Sequence, residues 1–229
     1  IEKGTKMRMS QVLAEVGQVP DDQVAVVSGP NLARELVERQ PAATTVACID
    51  EDAARLLQQA SSTSYFRPYF TTDVVGVEIG GAVKNVIALA NGMAVGQGFG
   101  ENTQATLITR GLAEMARLGA ALNANPMTYL GLAGIGDLMA TCTSSLSRNR
   151  TFGENLGKGL TVEETIAVTK QTCEGVKSCG PILEMARDAG VEMPITEQVV
   201  NVVVHGMKPR DMLFHLMSRP VREEQGQDS

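Results

Sequence analysis

A long apolar segment that carries a single charge, residues 79–95, constrains the fold of this chain more than any other feature. Its apolar residues recur at the three- and four-residue spacing of a helix, which predicts a helix with a buried face. The single charge, Lys84, shares a face of that helix with Gly80 and Gly81. Because a glycine inside a helix costs about 1 kcal/mol relative to alanine, the pair indicates that a ligand or another backbone approaches beside the lysine.

Two interpretations of Lys84 follow from this segment. A lysine among apolar residues suits acid–base chemistry, because burial favours its neutral form. Alternatively, the glycines form a notch for helix packing, and the lysine extends its side chain along apolar surface towards solvent.

The pattern of the chain changes near residue 75. Before this point, short β-type runs alternate with helical segments, and the alternation predicts part of an α/β sheet. The predicted strands are residues 24–30, 44–49 and 65–71, and the predicted helices are residues 31–39 and 52–60. The third strand is expected at a sheet edge, because Pro68 has no N–H to donate.

After residue 75 the spacing is helical, with helix starts at Asn102 or Thr103, at Asn125 and at Thr161. We predict an α/β unit at 1–75 and an all-helical unit at 76–229.

The α/β unit contains no glycine-rich turn of the form G-x-G-x-x-G between a strand and a helix. The nearest glycine cluster, residues 131–136, precedes an acidic helix start in the helical half. These observations favour the later part of a two-domain protein. An independent domain that begins with a short sheet is the alternative.

A second cluster of polar residues lies at 134–150. If the segment after Gly136 is helical, Asp137 and Thr141 lie on one face. The Ser/Thr-rich stretch that follows predicts a loop carrying the side chains of residues 148–150, an arginine, an asparagine and an arginine, which suit a phosphate. The alternative is that Asp137 caps a helix and the arginines are solvated. Together with Lys84, the cluster predicts a site for a small anionic substrate, with a base, an orienting acid and a phosphate receptor.

Composition limits the other functions. The net charge of −6 and the lack of a long basic run argue against nonspecific nucleic-acid binding. The four cysteines form no CxxC pair and the two histidines are isolated, so no metal site is predicted, and reducing cytosol is the expected compartment. No apolar run of membrane-spanning length is free of charge and glycine, and no signal-peptide pattern begins the chain.

Several ordered motifs resemble one family, the bacterial-type NAD(P)-dependent glycerol-3-phosphate dehydrogenases. The segment VEIGGAVKNVIA at 77–88 is similar to the family's catalytic helix. The resemblance continues in order through GENTQATLITRGLAEM at 100–115, GIGDL at 134–138 and SRNR at 147–150. The turn SGPNLARE at 28–35 and the late segment VEMPITE at 191–197 also match, and the similarity extends from Ile1 to about residue 219.

The resemblance implies a fold and a reaction. The fold would be the remnant of a Rossmann-type NAD(P)-binding sheet followed by an all-α domain like the C-terminal domain of 6-phosphogluconate dehydrogenase. The reaction would interconvert dihydroxyacetone phosphate and sn-glycerol 3-phosphate with NAD or NADP. A cytoplasmic enzyme that supplies glycerol 3-phosphate for phospholipid synthesis is implied, with a homodimer through the helical domain as an option.

The resemblance also implies roles for individual residues. Lys84 would be the proton acceptor, Asp137 would orient the site, and Asn85 and Thr141 would be polar contacts. The substrate phosphate would be held by Ser147, Arg148 and Asn149. The residues on the cofactor side would be Gly29, Asn31, Ala33, Arg148, Thr172 and Glu174.

Two departures from the family pattern bear on activity. The family's dinucleotide fingerprint would precede Ile1, and so would a second substrate-binding lysine, because Ile1 and Glu2 match the pair that follows it. Lys3 and Gly4 imitate that lysine in composition but are out of register. We therefore expect little turnover from residues 1–229 alone, and the choice between NAD and NADP stays open.

Two other functions remain open. One is a sibling dehydrogenase of the ketopantoate or 6-phosphogluconate type, which could share a helical domain. The other is a noncatalytic helical module whose apolar helices dimerise.

Overall fold

The computed structural model describes residues 1–170 and 173–220. The sheet has three strands, β1 (Ala25–Ser28), β2 (Ala42–Cys48) and β3 (Phe66–Thr71), in the order β1-β2-β3. Strand β2 pairs with β3 in parallel and with β1 antiparallel. Pro68 of β3 lies opposite Thr44 of β2, and β3 is an edge of the described sheet, as predicted.

Three helices accompany the strands. They are α1 (Met9–Gly17), α2 (Ala33–Val37) and α3 (Glu51–Ser61). Helix α3 begins where Asp50 accepts hydrogen bonds from the backbone N–H groups of Asp52 and Ala53, which satisfies two donors of its first turn. The predicted alternation of strands and helices is therefore confirmed, with element ends shifted by a few residues.

The rest of the described chain is helical and contains no strand among residues 72–170 and 173–220. Its helices are α4 (Val74–Gly96), α5 (Glu101–Ala121), α6 (Asp137–Thr143), α7 (Arg148–Gly157), α8 (Val162–Thr169), α9 (Glu174–Asp188), α10 (Pro194–Val203) and α11 (Pro209–Met217). The expected capping box at Thr161 is present, and Asn125 caps a short 3₁₀ helix, Pro126–Leu130. The predicted order of a small α/β unit followed by a helical unit is confirmed.

Helix α4 is the centre of the molecule. It packs against α5, α6, α7 and α9, and most of its residues are buried. By length and composition alone it could cross a membrane, but 67% of its most apolar window is buried inside the fold, as in the core helix of a globular protein. The main hydrophobic core surrounds this helix, and a smaller one joins Ala47 of β2 to Val74 and Val77 of α4. Both parts of the chain thus depend on α4 for their cores.

Glycines allow α4 and α7 to touch through their backbones. A Cβ at Gly92 would lie 2.1 Å from the carbonyl oxygen of Arg150, and one at Gly153 would lie 2.2 Å from that of Leu89. This close contact fixes the beginning of α7 beside Lys84's helix, and it therefore determines where the side chains of residues 147–149 lie.

Candidate active site

Lys84 and Asp137 form an ion pair between α4 and α6. The ammonium nitrogen Nζ of Lys84 donates to Oδ2 of Asp137 at 2.6 Å. The Asp137 side chain is only 3% exposed and that of Lys84 is 19% exposed. A charge pair that is so poorly solvated costs desolvation energy, so its geometry must be held by further hydrogen bonds.

Those further bonds come from two hydroxyl groups. Thr141 Oγ1, one turn along α6, donates to Oδ1 of Asp137 at 3.2 Å, as the predicted i, i+4 spacing requires. Ser28 Oγ, at the end of β1, donates to Oδ2 at 3.3 Å. Asp137 is the first residue of α6 and Gly136 is the N-cap, so the alternative in which Asp137 caps a helix is wrong. Its carboxylate instead accepts donors from three separate elements.

The two glycines before Lys84 serve different contacts. A Cβ at Gly80 would lie 2.4 Å from the carbonyl oxygen of Ala133, so this glycine is a packing notch for another backbone. A Cβ at Gly81 would lie 3.0 Å from Ser28 Oγ, and Gly81 also lines a cavity. The alternative of a lysine directed to solvent is wrong, because the ammonium group ends on a buried carboxylate.

Two cavities meet the Lys84–Asp137 pair. The large cavity, of about 1040 Å³, is lined by Lys84, Asn85, Thr141, Ser147, Arg148, Asn149, Asn31, Ala33 and Glu174 among others. The small cavity, of about 230 Å³, is lined by Gly29 and Asp137 and shares Lys84, Thr141 and Asn31 with the large one. The structure therefore brings the sequence-predicted site residues together, except Thr172, which lies outside the described residues.

The proposed phosphate residues lie on a helix rather than on a loop, which corrects the prediction for residues 148–150. Arg148 is the first residue of α7, and Ser147 caps the helix by accepting a hydrogen bond from the Arg150 N–H at 3.3 Å. The Ser/Thr-rich sequence hid this start, because a serine suits both loops and N-caps. Arg150 pairs with Glu154 on the same helix at 3.3 Å and does not line the large cavity, whereas Arg148 does.

Arg148 already has an anionic partner. Its Nη2 donates to Oε1 of Glu174, the first residue of α9, at 2.6 Å, and each side chain is about half exposed (51% and 46%). An exposed pair of this kind is stabilised weakly, so a bound anion can replace Glu174 at the guanidinium.

Asn149 is buried and connects three parts of the site. Its Oδ1 accepts the Gly175 N–H at 2.8 Å and the Cys173 thiol at 2.9 Å, and its Nδ2 donates to Asn85 Oδ1 at 3.0 Å. Burial raises the pKa of the Cys173 thiol to about 11, so this cysteine is unsuited to nucleophilic chemistry. The Asn149 side chain thus ties α4 and α7 to the start of α9.

The turn after β1 forms the opposite wall. Gly29 has φ +155°, and a Cβ there would lie 3.0 Å from Thr44 Oγ1 and 3.1 Å from Thr44 Cα, so a side chain at this position would be strained. Asn31 Nδ2 donates to the same Thr44 hydroxyl at 2.8 Å, while its Oδ1 is buried and accepts no hydrogen bond from the described part of the chain. A buried acceptor on a cavity wall fits a donor from a ligand such as the nicotinamide cofactor, or from water.

Among the residues that line the large cavity but were not predicted as site residues are Ser28, Arg8 and Lys177. Ser28 directly precedes the Gly29 turn. Lys177 lies three residues after Glu174 on α9, so helical spacing places Lys177 and Glu174 on one face. Arg8 carried no such signal, because its partner, Glu78 at 2.9 Å, is distant in sequence. Within the described residues, no group of three or more His, Cys, Asp and Glu side chains could hold a metal ion.

Comparison with known proteins identifies the family. The model for the NAD-dependent glycerol-3-phosphate dehydrogenase N-terminus matches residues 1–54, and that for the C-terminus matches residues 73–214. Proteins named glycerol-3-phosphate dehydrogenase [NAD(P)+] from Streptomyces griseus and Thermobifida fusca are 62% and 63% identical over 98% of this chain and 67% of their own length. The crystal structure of glycerol-3-phosphate dehydrogenase from Coxiella burnetii superposes with a TM-score of 0.89 at 37% identity, covering 94% of this chain and 66% of that one.

The chain spans about two thirds of the length of these relatives. The two family models match the sheet unit and the helical unit. The models and the relatives name the same family that the motifs around Lys84 and Asp137 resemble. This chain belongs to the NAD-dependent glycerol-3-phosphate dehydrogenase family, whose members are oxidoreductases that use NAD or NADP.

Proposed function

We propose that the whole protein interconverts dihydroxyacetone phosphate and sn-glycerol 3-phosphate with NAD or NADP. The observation that carries this proposal is that Lys84, which is paired with Asp137, lines the same cavity as Ser147 and Arg148. A proton-transfer group and a phosphate receptor thereby share one cavity, which is what a small phosphorylated alcohol or ketone requires.

The substrate phosphate would lie at the beginning of α7. The helix N-terminus favours an anion, the Ser147 hydroxyl can donate a hydrogen bond, and the Arg148 guanidinium can bind two phosphate oxygens. Arg148 would exchange Glu174 for the phosphate, since both groups line the large cavity. Asn149 would hold this end in place through its bonds to Asn85 and Gly175.

The reacting carbon would then lie beside Lys84. A bound nicotinamide supplies the hydride acceptor or donor. In oxidation, neutral Lys84 accepts the C2 hydroxyl proton, and in reduction its ammonium group returns a proton to the carbonyl oxygen. Asp137 keeps the lysine nitrogen in position through the 2.6 Å contact, with Thr141 holding the carboxylate. Asn31, Ala33 and Glu174, which line the large cavity, and Gly29, which lines the small one, would form the cofactor side of the site.

Three further aspects belong to the same proposal. The protein acts in the cytoplasm and supplies glycerol 3-phosphate for phospholipid synthesis. It divides into a cofactor-binding part at 1–75 and a substrate-binding part at 76–229, and two copies pair through the helical part. Phe214 and Met217 on α11 support such pairing, because they are 71% and 81% exposed although apolar.

Substitution of Lys84 tests the proposal in the protein encoded by the complete gene. Lys84→Ala should lower kcat for dihydroxyacetone phosphate reduction by about a thousandfold or more, because the proton donor is lost. The measurement is steady-state oxidation of NADH and NADPH, with thermal unfolding as the check on folding. Lys158→Ala is the matched control, since Lys158 is 54% exposed and pairs with Glu154 away from the cavity.

Two outcomes would contradict the proposal. Full redox activity of folded Lys84→Ala would favour the alternative in which the helical part is a noncatalytic module of the full-length protein. A substrate panel in which the unsubstituted protein prefers ketopantoate or 6-phosphogluconate over dihydroxyacetone phosphate would favour a sibling dehydrogenase.

A further inference from the structure

Two arginines that line the large cavity, Arg8 and Arg148, each have a glutamate partner, but the two pairs differ in exposure. Arg148 and Glu174, where α7 and α9 begin, are 51% and 46% exposed. Arg8 Nε donates to Glu78 Oε2 at 2.9 Å, and these two side chains are only 21% and 9% exposed. Because all four residues line the cavity, it has one cationic wall with an exposed ion pair and another with a largely buried one.

The Arg8–Glu78 pair is held by further hydrogen bonds. Ser10, in the first turn of α1, donates its backbone N–H to Glu78 Oε1 at 2.8 Å and its hydroxyl to Oε2 at 2.6 Å. Separation of a buried carboxylate from its arginine costs much more than separation of an exposed pair, because the unpaired charges stay poorly solvated. An arriving anion can therefore replace Glu174 at Arg148 far more easily than it can replace Glu78 at Arg8.

The two pairs approach Lys84 from different positions along α4. Glu78 lies six residues before Lys84, which is about 9 Å along the helix axis. Arg148 is next to Asn149, whose Nδ2 donates to Oδ1 of Asn85, the residue after Lys84. A phosphorylated substrate held at one arginine or the other would therefore point its carbon chain towards Lys84 in two different orientations.

We propose that Glu78 sets the orientation of the substrate by keeping phosphate away from Arg8. This inference rests on the proposed phosphate site at Arg148. A phosphate that approaches Arg8 also meets the Glu78 carboxylate, which itself lines the cavity and repels an anion. The exposed Arg148–Glu174 pair is then the one that opens, and C2 of the substrate comes to lie beside Lys84. Glu78 is thus a specificity-determining residue that acts through Arg8, by disfavouring the wrong orientation.

Glu78→Gln tests this role in the protein encoded by the complete gene. The amide oxygen can still accept a hydrogen bond from Ser10, but the charge that covers Arg8 is lost. Substrate should then bind in both orientations, of which only one reacts. Such unproductive binding lowers kcat and KM for dihydroxyacetone phosphate by the same factor, about three- to tenfold, and leaves kcat/KM within about twofold, because the productive transition state is unchanged. A purely structural role of Glu78 would instead lower kcat/KM.

Removal of Arg8 in the same protein separates these two explanations. The double variant Glu78→Gln, Arg8→Gln has no guanidinium at that wall, so kcat and KM should return to within about twofold of the unsubstituted values. Glu51→Gln is the matched control, because Glu51 pairs with Arg55 on α3 and lines neither the large nor the small cavity. Steady-state kinetics with NADH and NADPH are the measurement, and thermal unfolding checks the fold of each variant.

A second readout needs no variant. A crystal structure of the unsubstituted protein soaked in inorganic phosphate should show an anion at Arg148 in place of Glu174, with the Arg8–Glu78 contact intact. The inference is wrong if phosphate binds at Arg8 of the unsubstituted protein. It is also wrong if Glu78→Gln leaves kcat and KM unchanged or lowers kcat/KM, or if removal of Arg8 does not restore them. An unsubstituted protein that does not reduce dihydroxyacetone phosphate, or that binds phosphate at neither arginine, would instead overturn the proposed function.

Discussion

At the scale of single residues, the site depends on a carboxylate rather than on the lysine alone. Asp137 is buried and binds Lys84, Thr141 and Ser28 through its two oxygens. Because Lys84 sits in an apolar helix, its ammonium group has few other partners there, and Asp137 decides where its nitrogen points. We therefore expect Asp137 to act as a positioning residue, which holds Lys84 in place without touching the substrate.

Asp137→Asn tests this role. The amide keeps the size of the carboxylate but loses the charge that holds Lys84, so kcat should fall by about a hundredfold, with a smaller change in KM. Steady-state kinetics provide the measurement, and Asp211→Asn, a half-exposed aspartate beside Arg210, is the control. A kcat within about twofold of the unsubstituted protein would show that Asp137 has only a structural role.

At the scale of helices, backbone contacts between α4 and α7 position the residues that we propose bind the substrate phosphate. Gly92, Gly96, Gly153 and Gly157 all lie where a Cβ would meet the opposite helix's backbone at under 2.5 Å. From the sequence, a packing role was considered only for the glycines beside Lys84. The other four could not be assigned a contact, because a sequence does not show which helix a glycine faces.

Gly92→Ala should separate the two helices. The added methyl would lie 2.1 Å from the Arg150 carbonyl, which is backbone and cannot rotate away, so we expect a loss of about 3 kcal/mol in the free energy of unfolding. The KM for dihydroxyacetone phosphate should rise as Arg148 moves with α7. Urea unfolding and kinetics measure both effects. Gly180→Ala is the opposite control, since Gly180 in α9 has nothing within 4 Å of such a methyl and should gain about 0.5–1 kcal/mol.

A second interhelical contact was invisible in the sequence. Glu114 of α5 is buried and accepts the N–H groups of Ile195 at 2.6 Å and Thr196 at 3.2 Å, at the beginning of α10. It therefore caps a helix about 80 residues away along the chain. Burial, opposed by these hydrogen bonds, raises the pKa of Glu114 from 4.5 to about 7.

This shift predicts how stability depends on pH. Between pH 4.5 and about 7 the folded carboxyl keeps a proton that the unfolded chain has lost, so the free energy of unfolding should fall as pH rises through this window. The fall should be about 3 kcal/mol at most. Glu114→Gln cannot titrate and should lack this part of the pH dependence. Urea unfolding of both proteins across the window tests it, and equal slopes would contradict the raised pKa.

At the scale of the whole molecule, the sheet unit and the helical unit share α4. Val77 packs under the sheet, and Lys84, two turns later, faces the cavities. Lys84 and the residues proposed to bind the substrate phosphate therefore line one cavity within residues 1–229. On the cofactor side, no described strand is followed by a G-x-G-x-x-G turn that opens a helix.

Residues 1–229 by themselves should therefore bind the substrate but turn it over slowly. We expect sn-glycerol 3-phosphate to raise their unfolding temperature, because Arg148 and Lys84 are present, while kcat/KM stays at least about a hundredfold below that of the protein from the complete gene. Thermal unfolding and steady-state assays provide the two measurements. Near-normal activity of residues 1–229 would show that the cofactor needs no further cradle.

Much of the fold could be predicted from the sequence because local spacing decides it. The apolar period of α4, the capping box at Thr161 and the proline on β3 each act within a few residues, and each prediction is confirmed. The prediction of a loop at Arg148 was wrong, because the serines and threonines before it suit a loop and a helix N-cap equally, and Ser147 is an N-cap. The roles assigned to the site residues stay predictions until the variants are measured.

The motifs and the periodicity of the sequence were thus enough to identify the family and the order of the two units. What Lys84 touches depends on tertiary packing, because Asp137 and its partner Ser28 lie on elements far along the chain. Tertiary packing also decided that Gly80 meets a backbone and Gly81 a cavity, although the two glycines are neighbours. Local periodicity fixes which face of a helix a residue occupies, whereas the partner on that face depends on packing between distant segments.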